Sequence, residues 1–185
     1  MTTPSLILPP YATRPPHGPS AEKIACTVAN GLPKALLRLW VAKKRGVLII
    51  DAEQAPRFEN GPFYWRDVQA NGAIYLPVDC DAQALWQQVG IWLDHFAGSF
   101  GQQRRLSEGV GATDSLLDAA TRFKKIAELG YANDFLHTTN PSMLFVRAIV
   151  AYQLARRDLN TADPLLTRWL RNTIFNEAFW KKVSS

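Results

Sequence analysis

The chain has 185 residues, 47% hydrophobic and 20% charged, with a net charge of +5. This balance fits a globular protein with its own core and excludes wholesale disorder. No run approaches the ~20 apolar residues of a membrane span and no basic, apolar leader opens the chain, so the expectation is a cytoplasmic protein with no membrane role.

Residues 1–19 hold six of the twelve prolines: Pro4, Pro9, Pro10, Pro15, Pro16 and Pro19. Proline forbids helix interiors and central strands, so this segment is expected to be an extended arm ahead of a single domain over 20–185. Ser20 suits the N-cap of a helix running to Asn30 and stopped by Gly31. Pro33 opens a second helix, Lys34 to Lys44, whose apolar stripe is Leu36, Leu37, Trp40 and Val41.

Val47-Leu48-Ile49-Ile50 is a short apolar, β-branched run, so a buried strand is expected near 47–51. Polar residues from Asp51 to Gly61 read as a loop. An aromatic strand is expected near 62–66, through Phe63-Tyr64-Trp65. Asn71-Gly72 is a turn signal, and Ala73-Ile74-Tyr75-Leu76-Pro77 is a third strand near 73–77. Together these form a small mixed sheet.

Beyond Asp81 the periodicity becomes helical. Asp81 caps a helix over 82–97 carrying Leu85, Val89, Trp92, Leu93 and Phe96, with Gly98 as its stop. After a Gly/Ser/Gln/Arg loop to Ala112, Thr113 caps a helix from Asp114 to Leu129. Tyr131 to Asn140 reads as a loop. Pro141 opens a helix to about Arg157, and Asp163-Pro164 begins a last helical region. Helix, then sheet, then helices is the order of an α+β fold.

Charge is distributed unevenly. Residues 1–50 carry seven Lys and Arg against Glu22 alone, whereas 51–100 carry seven acids against Arg57 and Arg66. A basic first quarter suits a nucleic acid or acidic partner. Lys43-Lys44-Arg45 equally suits a helix C-terminus, where cations complement the dipole. Cys26 and Cys80 are too few for a disulfide framework and are expected to be free thiols.

Three segments carry a resemblance: Ile74-Tyr75-Leu76-Pro77, then Gln87-Gln88-Val89-Gly90-Ile91 with Trp92-Leu93-Asp94, then Thr139-Asn140-Pro141-Ser142-Met143-Leu144-Phe145-Val146-Arg147-Ala148. In this order they resemble the zincin-like metallopeptidases, most closely the catalytic domain of the anthrax lethal factor type. The later Asp163-Pro164 also resembles a dipeptide of that family, so the likeness covers about residues 47–170. The resemblance implies a zincin-like α+β fold, with the Ile74 strand as a substrate-binding edge and the helix over 82–97 as the active-site helix.

A catalytic zinc needs three N or O ligands, an open position and a general base. By resemblance the first histidine corresponds to Gln87, the base to Gln88, the second histidine to Ile91, the third ligand to Met143 and a later glutamate to Arg147. None of these groups is retained, so no bound metal or other cofactor is expected and a catalytically inactive, pseudo-peptidase character is. Of the three histidines, His17 lies in the arm. His95 and His137, with Asp94, are the remaining candidates for a residual metal site, and a capping or surface role is the simpler reading of each.

The expectation for function is a peptide- or protein-binding or regulatory module. Contact would run along Ala73, Ile74, Tyr75 and Leu76, and in a groove lined by Gln87, Gln88, Ile91, Met143 and Arg147. The arm itself could fill that groove. The alternative is a nucleic-acid-associated accessory protein of a mobile element, using the basic first quarter with Lys124, Lys125, Arg156 and Arg157.

Overall fold

Pro19 does not belong to the arm: it stands at the start of the first helix, where its missing N–H costs nothing. The computed structural model describes residues 19–43, 47–50, 55–65, 68–77, 79–100 and 103–185, and the expected arm over 1–18 lies outside them. Two helices open this part of the chain, α1 (Pro19–Gly31) and α2 (Lys34–Lys43). They face the core with Val28, Leu36, Leu37 and Trp40.

Three strands follow: β1 (Val47–Ile50), β2 (Arg57–Trp65) and β3 (Val68–Leu76), in the order β1-β3-β2. β1 runs parallel to β3, with Leu48 opposite Ile74 and Ile50 opposite Leu76. β2 and β3 are antiparallel, Phe58 opposite Ile74. Both outgrow the expectation. β2 begins at Arg57, within the predicted loop, because Arg57 and Glu59 lie on an edge strand where charge is tolerated. Asn71-Gly72 does not turn the chain but sits inside β3. Gly72 has φ 103° and Gly61, across the register shift between Glu59 and Pro62, has φ 146°. The glycines serve an irregularity in the pairing, and the two strands stay in register to Trp65 opposite Val68.

The helical half is α3 (Ala82–Ser99), α4 (Asp114–Leu129), α5 (Asn133–Leu136), α6 (Pro141–Leu154), α7 (Arg156–Ala162), α8 (Pro164–Asn172) and α9 (Glu177–Ser184), with a 3-10 turn at Leu106–Glu108. Helices followed by a mixed sheet and then helices make this an α+β protein. Local chemistry sets the helix starts: the side chains of Asp81, Thr113, Asn140 and Asp163 accept from the backbone N–H of Ala84, Leu116, Met143 and Leu166. Gly98 is not a stop. α3 continues to Ser99, and Phe100 takes the left-handed cap with φ 51°. A Cβ on Gly98 would lie 2.5 Å from the Arg105 carbonyl carbon, so this glycine lets the 104–106 backbone press against α3.

Side chains from α1 to α9 share one hydrophobic core. At its centre Trp40 meets Trp92 with ring centroids 4.0 Å apart, and Trp92 stacks on Phe96 at 5.0 Å. Long-range hydrogen bonds close the shell. Gln153 Nε2 donates to the Gly31 carbonyl, and the Ala35 N–H donates to Glu177, which sets an anion at the N-terminus of α2. Among the described residues no helix is long and apolar enough to cross a membrane.

Candidate functional site

α3 packs most extensively on α6, with Gly90 at the contact, where a Cβ would meet Val146 at 3.4 Å, an ordinary van der Waals distance. Beside this crossing a groove of about 550 Å³ opens between α3, α5 and α6. Gln87 lines it from α3, Met143 and Arg147 from α6, and His137 from the end of α5. Asn140 and Pro141 start α6 and thereby place Met143 one turn before Arg147 on the same face.

Two expected members are elsewhere. Successive helical residues point about 100° apart, and here Gln87 turns to the groove while Gln88 turns to the core. Gln88 faces inward, only 7% exposed, and its Oε1 has no hydrogen-bond partner. Ile91 is half-buried against the hydrophobic core. What takes their place is apolar: Phe135, Val150 and Leu154 join Met143 in the lining. Phe135 is 37% exposed, Met143 40% and Leu154 49%. Helical spacing alone does not distinguish an exposed apolar residue from a core one, which is why these were missed.

Arg147 is committed to its own fold. Its Nη1 donates to the carbonyls of Leu136 at 2.6 Å and His137 at 2.7 Å, satisfying the last carbonyls of α5. His137 itself adopts the left-handed conformation with φ 50°. The guanidinium therefore ties α5 to α6 and makes the floor of the groove a fixed surface.

The expected peptide-binding run does not lie on an edge. Ala73 to Leu76 form the middle of the sheet, paired with β1 on one side, while Ala73 to Tyr75 also pair with β2 on the other. Their backbone groups are used, and Ala73, Ile74 and Leu76 are buried, so no extended peptide can add there. Tyr75 is covered by Arg57, whose guanidinium lies 3.9 Å from the ring centroid and donates to Glu59 at 2.7 Å. Burial, then the Glu59 carboxylate, raises the Tyr75 hydroxyl above its ordinary pKa.

Asp94, His95 and His137 are separately engaged. His95 is buried and packs on Phe58 with centroids 5.4 Å apart. Asp94 accepts from the Ser107 backbone N–H at 2.8 Å and the Ser107 hydroxyl at 2.7 Å, and Ser107 Oγ lies 2.9 Å from Ser142 Oγ. This buried chain pins the 3-10 turn and the start of α6 to α3. Burial raises the Asp94 carboxyl to about pKa 6, against the lowering effect of the Ser107 hydrogen bonds. Among the described residues no three His, Cys, Asp or Glu side chains converge as metal ligands would.

The described part of the basic first quarter, Lys23, Lys34, Arg38 and Lys43, is exposed on α1 and α2. Lys43 sits over the Phe100 ring at 5.0 Å, and Arg156 over Tyr152 at 4.5 Å. Arg14, Lys44 and Arg45 lie outside the described residues.

The groove offers contact surface: aliphatic and aromatic walls, exposed amides at Gln83 and Gln87 and an imidazole at His137. Its lining includes no carboxylate and no thiol. A scan against protein-family models finds no match to this chain, and neither does a search of curated proteins or of solved structures.

Proposed function

We propose that this protein is a non-hydrolytic binding module, built on a zincin-like frame whose catalytic groups are gone, and that it takes an apolar segment of a partner protein between α3, α5 and α6. The observation that carries this reading is the sharing of one groove by Gln87, Met143 and Arg147 with the exposed Phe135 and Leu154. Apolar side chains held open on a rigid floor are what an amphipathic helix needs for its i, i+3 and i+4 anchors. The groove, rather than the Ile74 strand, is the contact surface. A cytoplasmic location belongs to the same reading, supported by Cys26 and Cys80 as free thiols.

The test is a displayed peptide library selected on the full chain, followed by titration of the selected peptides against Met143→Asp and Phe135→Asp. Expected are amphipathic peptides whose affinity varies little with salt and falls about tenfold or more in each variant, as for buried interface anchors. Selected peptides that bind both variants unchanged, or a strong salt dependence of the nucleic-acid kind, would remove the groove from the argument. Stoichiometric zinc with chelator-sensitive peptide hydrolysis would overturn the non-hydrolytic character.

A further inference from the structure

A second cavity, about 490 Å³, lies between α4, α8 and α9. The helices converge on it with one face each: Ala119, Arg122, Lys125 and Ile126 from α4, Leu165, Arg168 and Trp169 from α8, and Phe179 and Lys182 from α9. These positions recur every three or four residues along α4 and α8, as neighbours on one helical face do. The apolar wall is held in place. Trp169 Nε1 donates to the Ala119 carbonyl at 3.1 Å, and the Trp169 ring packs on Phe123 at 5.1 Å.

Charge distinguishes this cavity from the α3–α6 groove. Arg122, Lys125, Arg168 and Lys182 all stand exposed around it, with Asp118 the one acid in its lining. Among the described residues the ion pairs are Arg57–Glu59 and Lys181–Glu177, and neither involves these four cations. Cations gathered from three helices over one concavity raise the local positive potential and favour an anion there. Their long stems can line an apolar wall while the heads stay in water. The volume is that of small-molecule sites, which join apolar walls to a few fixed polar groups.

We propose that this cavity binds a small anionic amphiphile, its apolar body against Trp169 and Phe179 and its carboxylate or phosphate head at Arg122 and Arg168. Guanidinium favours such heads because two parallel N–H donors match two oxygens. Lys125 and Lys182 add charge at the rim. The inference stands on the α4–α8–α9 cavity alone and does not depend on peptide binding at α6.

The experiment titrates the full chain with 1-anilinonaphthalene-8-sulfonate, an anionic probe that fluoresces in apolar sites, and then displaces it with dodecanoate, dodecyl phosphate or dodecylamine below their micellar concentrations. Expected are one saturable site, displacement by at least one of the two anions, and no displacement by the amine. Arg122→Glu with Arg168→Glu should weaken probe binding by at least about tenfold, the scale of lost charge-assisted hydrogen bonds, with the far-ultraviolet circular dichroism unchanged. Should that pair unfold the chain, Arg122→Gln with Arg168→Gln is read for the same loss. Met143→Asp should leave probe binding unaltered, which separates this cavity from the other groove. The proposal is overturned by absence of a saturable site, by equal displacement with the amine, by wild-type affinity in the arginine variants, or by loss of probe binding in Met143→Asp.

Discussion

Gln88 carries a primary amide into the packed interior and leaves its Oε1 without a partner. A buried acceptor in that state has lost water and gained nothing, a cost of about 1–3 kcal/mol. Gln88→Met keeps most of the volume and removes the polar atoms. It should raise unfolding stability by about 1 kcal/mol, read as a higher urea midpoint at unchanged slope; a lower midpoint would mean that the amide is satisfied in solution. Asp94 poses the opposite case, a buried carboxylate held by two hydrogen bonds from Ser107. Its folded pKa of about 6 lies above the ordinary 3.8, so the folded chain holds this proton more tightly than the unfolded one. The stability this provides is complete below pH 3.8 and disappears as pH rises through 6, a change of roughly 3 kcal/mol. Asp94→Asn keeps an acceptor for the Ser107 N–H and cannot ionise. Its stability should therefore fall less between pH 4 and 7 than that of the parent, measured by thermal melts across that range. Gly98 is set by space: with the 104–106 backbone 2.5–2.6 Å from any Cβ, Gly98→Ala must push α3 and that segment apart. A loss of about 1–3 kcal/mol is expected for such overpacking, in contrast to Gly90→Ala, whose Cβ meets Val146 at ordinary contact distance.

Among the elements, α5 is the least self-sufficient. Its four residues cannot persist by helix propensity, since the nucleus alone costs more than one turn returns. Arg147 supplies what the helix lacks by bonding its last carbonyls. Arg147→Met should cost about 1–3 kcal/mol and speed amide exchange in residues 133–138, while exchange in α4 and α8 stays slow; uniform protection across α5 would show that the bond is dispensable. The placement of α3 and α6 explains why a rebuilt metal site should fail. Gln87→His with Ile91→His, Gln88→Glu and Met143→Glu restores a ligand set on paper. In the fold only positions 87 and 143 of these four line the groove. After dialysis the variant should retain well under one zinc per chain by elemental analysis, because ligands without convergence and orienting partners bind metal weakly. Retention of one tight zinc would support the residue-by-residue match to the peptidase family.

Across the whole molecule, helix starts were legible in the sequence because each is local chemistry. Asp81, Thr113, Asn140 and Asp163 act on an N–H three residues away, and Pro141 and Pro164 are suited to first turns by their own ring. So was the α+β order, since apolar periodicity changes along the chain where the strands end and α3 begins. The candidate groove was legible in part. Spacing of 87 on one helix and 143 and 147 on another survives into the fold, but Gln88 points into the core and Ile91, one turn beyond Gln87, packs half-buried against it, so neither lines the groove. The strand order β1-β3-β2 was not legible, because a parallel partner for Ile74 comes from more than twenty residues away. Nor was the cation-rimmed cavity, whose parts lie on α4, α8 and α9 and each look like an ordinary solvated helix face. What the sequence by itself determined is where elements begin and which residues are apolar, because capping, proline geometry and periodicity act within a few residues. What only tertiary structure decided is which strand is central, which glycine is a point of contact and which exposed faces meet, because those depend on packing between segments far apart in the chain.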